Sequence, residues 1–146
     1  MTEKMVYSSL LRRIQDELSC DLVAIALVES AEKQYVLKWR YTMGQVNDRL
    51  KNIVLQTGKG IAGEVFKTGK PCLIKDVSTF ARKNELFNYP ILFLENLKSI
   101  GAIPLWQNDR VIGVMLAGYR APNLMNEGGI SQMLKKVEEE ATTLTE

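Results

Sequence analysis

The stretch Thr57-Gly-Lys-Gly-Ile-Ala-Gly-Glu-Val-Phe-Lys-Thr-Gly-Lys-Pro71 constrains this chain more than any other. Gly58 and Gly60 tolerate backbone angles closed to other residues, so the chain can turn sharply into a helix there. Ile61, Val65 and Phe66 recur at helical spacing, which predicts two short turns of helix. Gly69 fits the position just beyond the helix end, and Pro71 blocks its resumption. The first turn offers amide N–H groups without intrahelical partners, at the positive end of the helix dipole. Neither Gly60 nor Ile61 nor Ala62 has a side chain that competes for an anion. Two readings stand: a candidate anion cradle, or a helix start satisfied by water or a passing loop.

The length of 146 residues is most simply one domain, residues 1–146, with room for a real hydrophobic core. A formal charge of +2 and scattered lysines and arginines argue against nucleic acid or an acidic membrane surface as partner. Apolar runs such as Leu22–Val28 are far too short to cross a bilayer. The polar start from Met1 to Met5 has no secretory character, so the expected location is cytoplasmic. Cys20 and Cys72 form no disulfide framework and lack metal-ligand spacing, so no metal is expected. The chain contains no histidine. That removes Ser-His and Cys-His catalysis, ordinary zinc sites and haem ligation by histidine. Carboxylates or lysines form no catalytic constellation either. The expectation is therefore not an enzyme, with no cofactor.

Residues 2 to about 19 predict an amphipathic helix, with Leu10 or Leu11, Ile14 and Leu18 as its apolar stripe. Leu22–Val28 is an almost continuous apolar run, typical of a strand covered on both faces. Glu29 to Gln34 predicts a polar turn. Tyr35–Tyr41 then alternates, placing Tyr35, Leu37, Trp39 and Tyr41 on one face and Lys38 and Arg40 on the other. Asn47 to Leu55 reads as a short helix or irregular segment, and Cys72–Lys75 as a brief strand. Ser78 to Asn88 is a polar connection long enough for a lid or binding loop.

A second short helix is predicted to start at Tyr89-Pro90, with Pro90 at its first position and free N–H groups on Ile91 and Leu92. Lys98–Gln107 and Arg110–Arg120 predict a hairpin turned at Asn108-Asp109. In its second strand Val111, Met115 and Ala117 are expected on one face, and Ile112, Val114 and Leu116 on the other. After a linker over residues 122–129, Ile130, Met133 or Leu134, Val137, Ala141 and Leu144 mark a final helix. The two terminal helices each have one apolar stripe, so they are expected to pack together on one sheet face. By elimination, their outer surfaces are the expected place for a partner protein or for a homodimer contact.

This order of elements, together with Gly-Lys-Gly-Ile-Ala-Gly-Glu-Val-Phe-Lys-Thr-Gly-Lys-Pro (58–71), Ser-Ile-Gly-Ala-Ile-Pro-Leu (99–105) and Val-Ile-Gly-Val-Met-Leu (111–116), resembles the GAF domain over essentially the whole chain. The fold class so implied is α/β (α+β). It has a central antiparallel sheet, terminal helices on one face, and a small ligand pocket under loops and short helices on the other. The finer resemblance is to stand-alone nitrate receptors of the NreA family of staphylococci. Trp39, Ile61, Ala62, Tyr89, Pro90 and Ile91 fall where that family's nitrate pocket would place them, with Ile61 standing where a leucine is expected. The resemblance implies nitrate as ligand and a sensor histidine kinase of nitrate and nitrite respiration as partner. It also implies that the nitrate-free form restrains the kinase and that nitrate relieves the restraint.

Nitrate spreads one charge over three oxygens and is weakly hydrated, so backbone donors and two helix dipoles suffice without a buried arginine. An apolar box of Trp39, Ile61 and Ile91 would disfavour the strongly hydrated phosphate and sulfate. Trp39 can equally be plain core, and Tyr89 either a pocket donor or a surface aromatic. Two rival functions remain open. One is a GAF enzyme like the free methionine sulfoxide reductases, whose chemistry needs several cooperating cysteines that Cys20 and Cys72 do not reproduce. The other is a sensor of another small ligand, such as a cyclic nucleotide. For that, Lys83-Asn84-Glu85-Leu86-Phe87 is only a vague match.

Overall fold

Strands that are apolar on both sides need cover on both sides, and the chain supplies it with different material on each. The computed structural model describes residues 3–31 and 34–145. Its centre is a six-stranded antiparallel sheet in the order β3-β2-β1-β6-β5-β4. The strands are β1 (Leu22–Ala31), β2 (Gln34–Met43), β3 (Val54–Gln56), β4 (Cys72–Ile74), β5 (Ser99–Gln107) and β6 (Arg110–Tyr119). On one face lie the terminal helices α1 (Glu3–Leu18) and α5 (Glu127–Thr145). Leu10, Leu11, Ile14 and Met133 meet Ile25, Ile103 and Met115 there in one buried cluster. Arg13 joins the two helices across their outer edge, 2.6 Å from Glu139 and in contact with Glu140. The stripe residues Leu10, Leu11, Ile14 and Met133 are buried as expected, while Leu134 is exposed. The side chains of Ala141 and Leu144, like Thr2, fall outside the described residues.

The opposite face is covered by α2 (Gly60–Thr68), α3 (Val77–Phe80), α4 (Pro90–Leu94) and the 3-10 turns Asp48–Asn52 and Lys83–Asn88. Three sequence expectations change here. The segment from Asn47 to Leu55, read as a short helix or irregular, holds the 3-10 turn Asp48–Asn52 and the start of the edge strand β3, which is too short to show any periodicity. The connection from Ser78 to Asn88 is a helical turn followed by a 3-10 turn, too short for either to show a pattern. Asp76 caps α3 by accepting from the Ser78 N–H at 3.0 Å. The turn between β1 and β2 is tighter than Glu29–Gln34, because pairing continues to Ala31–Gln34. Residues 32 and 33 lie outside the described residues.

Two one-residue bulges decide which side chains face which layer. In β2, Ala26 pairs with Trp39 but Ile25 pairs with Tyr41, so Arg40 is the extra residue. Leu37 and Trp39 therefore face the short helices, whereas Tyr41 turns to α1 and stacks on Tyr7 at 5.3 Å. In β6, Leu105 pairs with Gly113 but Trp106 with Val111, so Ile112 is extra. Ile112 joins the terminal-helix cluster with Met115, while Val111 and Trp106 lie over Gly69 at the end of α2. Strict alternation had put Tyr41 beside Trp39 and had reversed Val111 and Ile112. A bulge shifts every later side chain to the other face, and it leaves no mark in an alternating pattern.

Candidate functional site

The candidate site begins at Trp39, which the bulge at Arg40 leaves facing the short helices. Its side chain is 2 % exposed, and its indole Nε1 is buried with no acceptor. Among the described residues it is the one buried side-chain nitrogen or oxygen in that condition. A buried donor left unpaired costs about 1–3 kcal/mol. Such a group therefore calls for an explanation, a missing partner being one.

Trp39 shares a cluster with Ile61, Ala62 and Ile91, and each is essentially inaccessible. Ile61 and Ala62 belong to the first turn of α2. The cap residue Lys59 is extended and offers no side-chain hydrogen bond. The first helical bond runs from the Gly63 N–H to the Lys59 carbonyl at 3.1 Å. The N–H groups of Gly60, Ile61 and Ala62 meet no backbone or side-chain acceptor among the described residues. Gly60 sits at φ +68, a conformation in which a side chain would be strained, and its own Cβ would crowd Leu55. Gly63 brings α2 against β3: a Cβ there would lie 2.4 Å from the Gln56 carbonyl oxygen. Turn chemistry singled out Gly60 in the sequence; the close approach at Gly63 needed the tertiary structure.

At the second helix start Pro90 is the first residue of α4, and Tyr89 caps it without a side-chain bond. The Ile91 N–H meets no acceptor among the described residues, but Leu92 donates to the Tyr89 carbonyl at 3.0 Å. The expectation of a free donor on Leu92 is thus corrected. In a one-turn helix the tighter bonding pattern takes up the N–H that a longer helix would leave open. Tyr89 is half-buried against the cluster, with Phe80 edge-on to its ring at 5.0 Å. Its hydroxyl pKa is raised, first by burial and then by the Glu64 and Glu85 carboxylates. It therefore remains a hydroxyl at neutral pH.

A buried ion pair anchors α4 from behind. Glu95, 0 % exposed, closes that helix and accepts from the Val46 N–H and the Asn47 N–H, each at 2.9 Å, and from Arg120 Nη2 at 2.7 Å. Arg120 Nε donates in turn to the Glu95 carbonyl at 3.0 Å. The Glu95 N–H donates to the Ile91 carbonyl at 3.1 Å, so the anchor is one helical turn from the free donor. Sequence reasoning missed this pair. Nothing local distinguishes a glutamate that ends a helix in solvent from one that meets an arginine 25 positions away.

Comparison with known proteins places the fold. The family model described as "GAF domain" matches residues 1–132. The chain belongs to the GAF domain family. Among solved structures, a hypothetical protein from S. aureus is 39% identical, with a TM-score of 0.75, over 80% of this GAF chain and 96% of its own. An NreA protein from Staphylococcus aureus mutated in its nitrate binding site is 38% identical, with a TM-score of 0.79, over 86% of this chain and 92% of its own. A second mutated NreA protein from the same organism is 34% identical, with a TM-score of 0.76, covering 90% and 99% respectively. A free methionine-R-sulfoxide reductase from Neisseria meningitidis, at 18% identity, a TM-score of 0.68 and coverage of 92% and 77%, shares the fold alone. No curated protein matches this chain.

Within this GAF domain, Trp39, Ile61, Ala62 and Ile91 belong to one buried cluster, Tyr89 packs against it, and Pro90 is half-buried at the start of α4. The two cysteines are kept apart. Cys20 packs with the terminal-helix cluster, and Cys72 lies on the other side of the sheet. Burial pushes the Cys20 thiol up to about 12, and it raises the Cys72 thiol too, with Glu64 adding to the shift. Among the described residues no group of acidic or cysteine side chains could hold a metal, and no helix is long and apolar enough to cross a membrane.

Proposed function

We propose that this GAF protein is a nitrate receptor. On this reading it governs a partner sensor histidine kinase of nitrate and nitrite respiration. The nitrate-free form restrains kinase autophosphorylation, and nitrate relieves it. The observation that carries the ligand assignment is the unpaired indole N–H of Trp39, buried in the same apolar cluster as Ile61, Ala62 and Ile91, whose own N–H groups are open. A weakly hydrated monoanion matches such a box, because it can shed its water for a few donors and two helix dipoles. Similarity to NreA proteins described as mutated in a nitrate binding site supports the same ligand. Separation of Cys20 and Cys72 across the sheet, with both thiols held protonated at neutral pH, favours a receptor over a sulfoxide-reducing enzyme.

The test is Trp39→Phe, which removes the donor and keeps an aromatic ring in its place. A receptor loses about tenfold or more in nitrate affinity by calorimetry, since hydrogen bonds to charged groups contribute about 1.5–3 kcal/mol. In the ligand-free variant, removal of the unsatisfied donor offsets part of the cost of the cavity left by the smaller ring, and a native-like circular dichroism spectrum checks that the fold is kept. In the parent, nitrate should raise the melting temperature with concentration, and sulfate should not. Equal nitrate affinity in Trp39→Phe would refute the proposed site. Stabilisation of the parent by sulfate but not nitrate would refute the ligand.

A further inference from the structure

The segment from Val77 to Leu94, which carries α3 and α4, displays more aromatic surface than a covering layer needs. Phe80, Phe87 and Phe93 are 41 %, 72 % and 53 % exposed. Phe87 and Phe93 lie 5.4 Å apart, which holds both rings at the surface. On the terminal helices only Met5 and Leu134 are exposed large apolar side chains among the described residues. Grouped exposed aromatics of this kind mark interaction surfaces, where aromatic side chains dominate the binding energy.

Beside the rings opens a cavity of about 380 Å³. Its floor is Val77, Ala81, Leu92 and Leu97, all buried, and Phe93 stands at its rim. Arg82 and Lys98 line it too, and among the described residues no aspartate or glutamate does. The nearest carboxylate to Arg82 is Glu85, at 4.0 Å. An apolar socket with an aromatic rim and two cations in its lining complements a protein segment that presents an apolar side chain flanked by carboxylates.

We infer that this face, rather than the outer side of the terminal helices, is where the partner kinase docks, by inserting an apolar side chain from an acidic segment into the cavity. The inference rests on the receptor reading above. It also gives that reading a physical link, because one short helix serves both places. α4 offers the Ile91 N–H to the anion box, while the next two residues, Leu92 and Phe93, form floor and rim of the cavity. An anion that draws the start of α4 inward reshapes the socket on its other side.

The experiment measures binding of the purified sensory region of the kinase to nitrate-free protein, with nitrate calorimetry on the same samples. Phe87→Ser combined with Phe93→Ser, and separately Arg82→Glu combined with Lys98→Glu, should each weaken kinase binding about tenfold or more. Lys135→Glu combined with Lys136→Glu, on α5, should change it less than about twofold. Arg82→Glu with Lys98→Glu should leave nitrate affinity within about threefold, since neither side chain reaches the box. Undiminished kinase binding in both cavity-face variants overturns the inference, as does loss confined to the α5 variant. A cavity-face variant that changes only the self-association of the protein assigns the surface to a second copy, which also overturns it. If the parent binds nitrate but no kinase, the docking inference and the kinase part of the function fall together. If it binds neither, the receptor reading itself has failed.

Discussion

The two faces of the sheet are built to different standards of closure. Against the terminal helices, apolar side chains meet apolar side chains, and the polar groups at the border are paired. Tyr119 donates to the Leu18 carbonyl at 2.5 Å, and Arg13 binds Glu139 and Glu140. Against α2 and α4 the packing is as tight, since Trp39, Ile61, Ala62 and Ile91 are buried, yet donors are left open at both helix starts and on the indole. Stability alone would not leave that face unfinished. A buried donor without a partner opposes folding unless something else later supplies the acceptor. The difference separates a face whose polar groups are paired within the chain from one that leaves donors open, which on the proposed function is the ligand's side.

Mutations can break that contrast in a graded way. The largest effect should come from Glu95→Ala. It leaves Arg120 and two backbone donors without their carboxylate, and removing one member of a buried pair costs about 3–5 kcal/mol. Denaturant unfolding measures this loss, and a change below 1 kcal/mol would show that the pair anchors nothing.

Next is Ala62→Glu. At an exposed helix start such a change would be mildly stabilising, by about 0.3–1 kcal/mol. Ala62 is completely buried, however, so the new carboxylate must take over the open donors of the box or destabilise the fold. The expected product is a folded protein with a native-like circular dichroism spectrum and nitrate affinity reduced about 100-fold or more. Undiminished affinity in a folded variant would remove the α2 start from the site.

Ile14→Val tests the closed face. It should cost about 0.5–1.5 kcal/mol in stability and leave nitrate affinity unchanged in calorimetry. Coupled loss of both would mean that the two faces are not separable.

The smallest expected effect is that of pH. With no histidine, and with Tyr89 and Cys72 both shifted upward, the perturbed groups beside the box keep their protons through neutrality. Nitrate affinity should therefore be flat between about pH 6 and 8. The raised phenol of Tyr89 favours folding below its ordinary value of about 10, and that contribution is lost only as pH climbs past it. A calorimetric pH series showing a step near neutrality would point to a titrating group outside this account.

Much of the molecule was legible before folding was considered. Sequence periodicity determined the two terminal helices, the long strands and the hairpin turn at Asn108-Asp109. Gly58, Gly60, Gly69 and Pro90 marked both helix starts and the end of α2, because glycine and proline act through the local backbone. That Trp39, Ile61, Ala62 and Ile91 share one buried cluster agrees with those local signals taken with the resemblance to the GAF family. The tertiary structure alone decided that Tyr41 turns away from Trp39 and that Val111 and Ile112 exchange faces. A single inserted residue is settled by the register of the neighbouring strand, not by the strand's own sequence. The same holds for the closure of Gly63 on the Gln56 carbonyl and for the Glu95–Arg120 pair. Each is a contact or a bond whose partner the chain brings near only on folding. Turn chemistry and periodicity are properties of neighbours in sequence; pairing and desolvation are properties of neighbours in space.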